Sequence, residues 1–88
     1  MLVLKPTNRF LKDLKRAQKR GKDLDKLEQV IDQIQAGNPL PPKNRDHNLT
    51  GNWKDHRECH LEPDWLLIYR LDGEFLFLER TGTHADLF

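Results

Sequence analysis

Residues 65–80 read WLLIYRLDGEFLFLER, two apolar runs joined by the dipeptide Asp72-Gly73. Asp-Gly favours the positive backbone φ angles of a tight hairpin turn, so the pattern predicts two antiparallel strands at 65–71 and 74–80. Apolar side chains occupy both alternating sets of positions in these strands. Since successive side chains of a strand point to opposite faces, we expect the hairpin to be central in its sheet or covered on both faces.

The sheet is predicted to continue on the N-terminal side of this hairpin. Residues 52–61 form a further strand, and Glu62-Pro63-Asp64 provides the turn into residue 65, which completes a three-stranded antiparallel meander. Before it, residues 38–48 are rich in proline and asparagine. Because proline lacks a backbone N–H, this segment is predicted to be a long loop, neither helix nor central strand.

The first third of the chain is predicted to be a short strand followed by two helices. Leu2-Val3-Leu4 forms the strand, and Thr7 and Asp23 are the N-caps of the helices. The apolar residues that recur at helical spacing are Phe10, Leu11, Leu14 and Ala17, then Leu24, Leu27, Ile31 and Ile34. This order predicts one α+β domain over residues 1–88, in which the N-terminal strand and the meander form a twisted antiparallel sheet with the helical hairpin packed on one face.

Charge is unevenly distributed, although the net charge is only +1. Residues 1–26 hold nine Lys/Arg and three Asp/Glu, whereas residues 27–88 hold six and eleven. The asymmetry indicates an anionic partner for the first third, and a solvated helix face is the alternative. Cys59 is the only cysteine and is expected to be a small buried hydrophobic residue. No apolar run approaches the roughly 20 residues of a membrane span, so we expect a cytoplasmic protein without membrane association.

Three of the four histidines, with an aspartate, have the residue types needed for RNA cleavage without a metal. His47 lies in the predicted loop, His60 ends the first meander strand, Asp64 opens the next, and His84 follows the last. Cleavage by the RNA's own 2′-hydroxyl requires a base, an acid and cations, and histidine exchanges protons near neutral pH. The turn at 61–64 brings His60 and Asp64 together, whereas only the fold can add His47 and His84.

Two other interpretations of the histidines compete with this one. His56 and His60 share one face of a predicted strand, which allows a zinc site, although the chain lacks the paired cysteines and the helical histidine pair of common zinc sites. Alternatively, each histidine is an isolated surface residue. The terminal Phe88 is a candidate for stacking on an RNA base, since an aromatic residue at the chain end has little reason to join a core.

Several motifs resemble the YafQ branch of the RelE-type toxins. They are KR at 19–20 with KD at 22–23, DHNL at 46–49, GNWK at 51–54 with Arg57, HLEPDW at 60–65, IY at 68–69 and ERTGTHADLF at 79–88. The HLEPDW and ERTGTH pieces are specific to that branch, and the resemblance covers nearly the whole chain. It implies a RelE-like fold and a toxin of a bacterial type II toxin–antitoxin pair that cleaves mRNA in the ribosomal A site without a metal or other cofactor.

The resemblance also implies a catalytic set, carried over by motif position. The catalytic residues are His47, His60, Asp64 and His84, and Phe88 positions the RNA; His84 is expected to be the general acid and His47 or His60 the base. The candidate contacts to RNA phosphates are Arg57 and Arg80, with Lys12, Lys15, Lys19 and Arg20 on the ribosomal RNA backbone. The implied partners are a cognate antitoxin of the DinJ/RelB type, the ribosome with its mRNA, and operator DNA only through the antitoxin complex.

Two other function classes remain open at this point. One is a non-catalytic RNA-binding module, which would keep the basic helix but tolerate loss of the histidines. The other is a degenerate toxin homologue that binds its antitoxin and represses transcription with it. The presence of all four predicted catalytic residues favours the enzyme.

Overall fold

The chain begins with an edge strand and a helical hairpin, in a computed structural model that describes residues 1–88. The bounds are β1 Val3–Pro6, α1 Asn8–Lys19 and α2 Leu24–Gln35. Thr7 accepts a hydrogen bond from the backbone N–H of Phe10, and Asp23 accepts one from Asp25. Gly21, between the helices, has a φ of 76°, which glycine adopts without strain. The predicted helical hairpin and both of its caps are confirmed.

Four further strands and a short third helix complete the fold. Their bounds are β2 His47–Asn48, β3 Arg57–Glu62, β4 Trp65–Asp72, β5 Phe75–Gly82 and α3 His84–Leu87. The five strands form one sheet in the order β1-β5-β4-β3-β2, so the predicted meander and the α+β class are confirmed. None of the helices has both the length and the apolar character needed to cross a membrane.

Three details of the sheet differ from the prediction. β1 pairs parallel with β5, which makes the sheet mixed instead of antiparallel. The side-chain pattern of a strand does not encode its neighbour's direction, and the long connection between β1 and β5 permits a parallel crossover. β3 begins at Arg57, not at residue 52, because Gly51–Trp53 forms a 3₁₀ turn. The predicted loop at 38–48 contains the 3₁₀ turn Pro42–Asn44, which proline tolerates at its first position, and the two-residue edge strand β2.

The central strands are covered on both faces, as their apolar pattern predicts. The larger cluster lies between the sheet and the helical hairpin and includes Phe10, Leu27, Ile34, Trp65, Leu67, Tyr69 and Leu76. A smaller cluster consists of Leu66, Ile68 and Leu87, with Leu49 and Trp53 packed against it. Because Leu87 belongs to α3, this second cluster seats the helix that begins with His84 on the sheet.

Candidate functional site

The three predicted catalytic histidines and Asp64 lie together at the end of the sheet opposite the Asp72-Gly73 turn. His47 is on β2, His60 on β3, Asp64 in the β3–β4 turn, and His84 is the first residue of α3. The ring centroids of His47 and His60 are 6.5 Å apart, and those of His60 and His84 are 5.8 Å apart. One substrate could therefore contact all four side chains, which we call the histidine cluster.

Asp64 orients the imidazole of His84. Its Oδ1 accepts the backbone N–H of His84 at 2.9 Å and lies 2.7 Å from the His84 Nδ1. These two bonds hold the pKa of Asp64 below its usual range, the backbone bond being the larger cause. A carboxylate at Nδ1 makes that nitrogen the donor, which leaves Nε2 of the exposed His84 side chain for a substrate.

The four-residue α3 depends on contacts of Asp86. The side chains of Thr83 and Asp86 each accept the other's backbone N–H, which forms a capping box. Arg20, the C-cap of α1, donates to both carboxylate oxygens of Asp86, at 2.6 and 3.2 Å, and this pairing with the Thr83 bond holds the pKa of Asp86 well below its usual range. A Cβ at Gly82 would lie only 2.9 Å from Asp86 Oδ2, so the close approach requires glycine.

Glu58 is a member of the site that the sequence prediction missed. Its Oε2 lies 3.0 Å from the His47 Nε2, and its side chain is only 7% exposed. The other oxygen, Oε1, is buried without a hydrogen-bond partner. The signal was present in the sequence, because Glu58 precedes His60 by two residues on one strand and so projects from the same face.

The hydrogen bonds of His47 and His60 leave them with different capacities for proton transfer. His47 Nδ1 lies 2.7 Å from the carbonyl oxygen of Arg45, and its Nε2 faces the Glu58 carboxylate. Both partners are acceptors, so both bonds form together only when the ring carries two protons. His60 Nδ1 lies 3.3 Å from the carbonyl oxygen of Pro63. Donation there leaves Nε2 of His60 as the nitrogen able to accept a proton.

Two members of the histidine cluster, together with Glu58, also have the composition of a metal site. Glu58, His60 and His84 each offer a ligand atom, and these atoms all lie within 4.8 Å of one another. The unpartnered Glu58 Oε1 is an oxygen that a cation would satisfy. Imidazole with carboxylate suits zinc and copper, so these residues fit a transition metal. His56 is not part of the set, so the sequence-based pairing of His56 with His60 at a zinc site is wrong.

Phe88 and His56 both contact the ring of Trp53. The Phe88 side chain is 61% exposed, and its ring makes an edge contact with Trp53 at 6.3 Å between centroids. The ring of His56 also makes an edge contact with Trp53, at 5.3 Å between centroids. The His56 Nε2 lies 2.8 Å from Glu79 Oε2. Trp53 therefore supports the terminal ring, and His56 is engaged away from the histidine cluster.

The predicted cations on α1 are only partly free. Lys12, Lys15 and Lys19 are exposed. Arg20 is instead bonded to Asp86, and its pKa is raised by that bond. Its placement gives it a role in holding α3 that the sequence pattern does not reveal, because its partner is 66 positions away in the chain.

The two predicted phosphate-binding arginines also have carboxylate partners. Arg80 Nε and Nη2 donate to Asp13 at 2.6 and 3.0 Å, and the Asp13 side chain is 2% exposed. Arg57 donates to Asp46 at 3.2 and 3.1 Å, and Asp46 also accepts the hydroxyl of Tyr69. Arg80 is committed to this internal ion pair, which stands against the prediction that it contacts phosphate. Arg57 is part-exposed beside β2 and keeps access to a ligand.

Cys59 has no place in this chemistry. Its side chain is fully buried in the larger core cluster, and burial raises the pKa of the thiol to about 12. A thiol that stays protonated is a poor nucleophile, so the prediction of a small buried hydrophobic residue is confirmed.

Comparison with known proteins agrees with the motifs. The family model described as YafQ, a bacterial toxin of type II toxin–antitoxin systems, matches residues 2–88. The mRNA interferase toxin YafQ of Escherichia coli K12 is 48% identical over 83 residues, which cover 93% of this chain and 90% of that protein.

Solved structures of two relatives resemble the whole chain. The YafQ chain of the E. coli DinJ–YafQ complex superposes with a TM-score of 0.92 at 46% identity, over 100% of this chain and 99% of that one. A metal-bound toxin from Helicobacter pylori superposes with a TM-score of 0.94 at 46% identity, over 100% of both chains.

Proposed function

This chain belongs to the YafQ family of bacterial type II toxins, and from that premise we propose that it is an endoribonuclease that cleaves mRNA in the ribosomal A site. The observation that carries the proposal is the contiguous histidine cluster, in which His84 is oriented by Asp64 at 2.7 Å. Relatives that share about half of its sequence are named mRNA interferase toxins. The proposed mechanism requires no metal and no cofactor.

The hydrogen bonds suggest how the proton-transfer roles are divided. His60 is the proposed base, because its Nε2 is the nitrogen left with a lone pair. His84 is the proposed acid, since Asp64 orients its ring through Nδ1 and Nε2 points away from that bond. His47, between two acceptors, is the proposed cation that offsets the charge of the phosphorane. Phe88 stacks on a neighbouring base and positions the RNA.

The proposed partners follow from the same family membership. A DinJ/RelB-like antitoxin neutralises the toxin, as the DinJ–YafQ complex of the E. coli relative suggests. The ribosome with its mRNA is the substrate, which places the activity in the cytoplasm, and operator DNA is bound only through the antitoxin complex. The alternative is a degenerate toxin that acts solely in that transcriptional complex.

Single-turnover cleavage of mRNA on programmed ribosomes tests the proposal. We expect His84→Ala to lower the rate by about 10²–10⁴-fold, the usual value of a positioned general acid. Its affinity for the ribosome should stay within a few-fold, since one imidazole adds little to a charge-dominated interface. The matched control is His56→Gln, which lies outside the cluster and keeps a donor for Glu79. A wild-type rate in His84→Ala, or equal losses in both variants, would contradict the assignment.

The metal-binding capacity of Glu58, His60 and His84 is tested in the same assay. A metal on these side chains would supply a Lewis acid, and it would occupy the imidazole nitrogens that the proposed acid and base use. We therefore expect cleavage to survive EDTA once magnesium is restored for the ribosome, and to fall when zinc or copper is added. Activity that returns only with zinc or copper would overturn the metal-free mechanism.

A further inference from the structure

A groove of about 590 Å³ opens between α2, the loop at residues 40–45 and the segment 60–63, which includes His60. Val30, Leu40 and Leu61 contribute its apolar part. Gln29 and Gln33 line it from α2, and their amide groups can both donate and accept hydrogen bonds. Pockets of this size commonly hold one small ligand against apolar side chains and orient it with a few polar groups.

The rim of the groove carries positive charge without carboxylate partners. Lys43 and Arg45, both exposed, line it from the loop, and neither forms an ion pair. Lys26 lines it from α2, but this charge is offset by Glu62, whose Oε2 lies 2.9 Å from the Lys26 Nζ. Two free cations therefore face the groove on the side of the loop.

The loop that forms this rim is anchored to β3, the strand that carries His60. Asn44 is 6% exposed and donates through Nδ2 to the carbonyl oxygen of His60 at 2.8 Å. Pro41 and Pro42 restrict the backbone before it, and Arg45 takes a left-handed φ of 49°. The carbonyl oxygen of Arg45 in turn faces His47. The loop side of the groove is thus preformed, because hydrogen bonds hold it to two members of the histidine cluster, His60 and His47.

We propose that this groove is the binding site for a nucleotide of single-stranded RNA next to the cleaved bond. This inference rests on the proposed function, since it extends the same site. The base packs on Val30, Leu40 and Leu61, with Gln29 and Gln33 at its edge. Lys43 and Arg45 hold the phosphates that lead to His60.

Continuity with the histidine cluster favours RNA over an acidic protein segment. His60 lines the groove, and its ring lies 6.5 Å from that of His47 and 5.8 Å from that of His84, so an RNA strand seated in the groove reaches the proposed base and acid. Glu62 is paired with both Lys22 and Lys26, so the charge of the groove lining is net positive and attracts phosphates and carboxylates alike; continuity with the cluster is what distinguishes RNA. A nucleotide can place its charged phosphates at the opposite rim and its neutral base on the apolar floor.

The test compares the variant Lys43→Gln/Arg45→Gln with a matched control, Lys5→Gln/Arg70→Gln, which removes one lysine and one arginine from a surface outside the groove. The probe is a 2′-O-methyl RNA hexanucleotide, which has no free 2′-hydroxyl and cannot be cleaved. Binding to the free chain is followed by fluorescence anisotropy at several salt concentrations and by NMR amide shifts. Lys43→Gln alone is included because it does not alter the residue whose carbonyl faces His47.

We expect the groove variant to bind the hexanucleotide about 10-fold more weakly and to reduce the slope of log K against log salt by about 1.4, the value for two single-strand phosphates. Amide shifts should appear at Gln29, Gln33 and Lys43, and Lys43→Gln alone should show about half the effect. On ribosomes, the toxin concentration for half-maximal cleavage should rise while the maximal rate stays unchanged. The control should bind as the wild type does.

Three outcomes would overturn the groove assignment. The first is wild-type affinity in the groove variant, and the second is a set of amide shifts confined to α1. The third is an octaglutamate peptide that shifts the groove amides when the RNA does not, which would assign the groove to an acidic protein partner. Failure of the proposed function is distinguishable, because then the wild-type chain would not cleave mRNA although the hexanucleotide still shifted the groove amides.

Discussion

At the scale of single residues, Glu58 shows how the site stores an unfavourable interaction. A buried carboxylate without full hydrogen bonding costs free energy, and its Oε1 has no partner. The other oxygen, Oε2, lies 3.0 Å from the Nε2 of His47. The residue thus places an incompletely hydrogen-bonded carboxyl group beside the proposed catalytic histidines at a cost in stability.

We predict that Glu58→Gln is more stable and less active than the wild type. Replacement of the carboxyl group, whose Oε1 is buried without a partner, by an amide should raise the free energy of unfolding by on the order of 1 kcal/mol, since the partner left behind, His47, is half exposed to water. Loss of the carboxylate beside His47 should lower the single-turnover cleavage rate by about 10-fold or more. Urea unfolding and ribosome cleavage measure the two effects, with the exposed Glu28→Gln as control. Lower stability with a full cleavage rate would make Glu58 purely structural.

At the scale of elements, α3 illustrates how a helix too short to be stable alone is held in place. Four residues cannot offset the cost of helix nucleation. The capping box of Thr83 and Asp86, the Arg20 contact and the burial of Leu87 supply the missing stabilisation. Since His84 is the first residue of α3, its placement depends on all of these contacts.

Asp86 should therefore make the stability of the protein depend on acid pH. Its pKa is lowered in the folded state, so its contribution is complete above the unfolded value of about 3.9 and is lost as pH falls through the folded value. We expect Asp86→Asn to be less stable at pH 7, and the difference from wild type to shrink on acidification below about pH 4. Thermal unfolding from neutral to acid pH measures this. The control is the exposed Asp32→Asn, and a difference that is independent of pH would refute the role of the charge.

The exposed lysines of α1 should affect ribosome binding, whereas Arg20 at the C-cap of the same helix should affect stability through its contact with Asp86 of α3. We expect Lys12→Gln/Lys15→Gln/Lys19→Gln to weaken ribosome binding and reduce the slope of log K against log salt by about 2–3, with little change in stability. Arg20→Gln should instead lower the unfolding midpoint, because it releases Asp86. Salt-dependent ribosome binding and thermal unfolding distinguish the two variants. An unchanged slope in the triple variant would identify α1 as a solvated face.

At the scale of the whole molecule, the proposed endoribonuclease activity predicts that this chain is toxic to the cell that makes it unless an antitoxin is present. We expect expression of this chain alone to arrest growth, and co-expression of a DinJ/RelB-like antitoxin from the same operon to restore it. An acidic, partly disordered partner can wrap such a small domain. His84→Ala, expressed to the same soluble level, is the control and should be tolerated. Normal growth with soluble wild-type protein would favour the degenerate toxin.

The parts of this protein that follow from its sequence are those governed by neighbours in the chain. The two helices, their caps at Thr7 and Asp23, and the β4–β5 hairpin depend on periodicity and turn chemistry over a few residues, and all were predicted correctly. The sequence also places His60 and Asp64 at the two ends of one tight turn, and the structure has them on β3 and in the β3–β4 turn.

The remaining features join residues that are far apart in the chain, and only the tertiary structure decides them. Arg20 meets Asp86 across 66 positions, and Arg80 meets Asp13 across 67, so neither arginine reveals its partner through local spacing. The parallel direction of β1 and the groove beside His60 likewise depend on contacts between segments that are distant in the chain. Local patterns determine which elements form and which face is apolar, whereas the packing of those elements selects which charges are neutralised inside the fold and which stay free to bind a ligand.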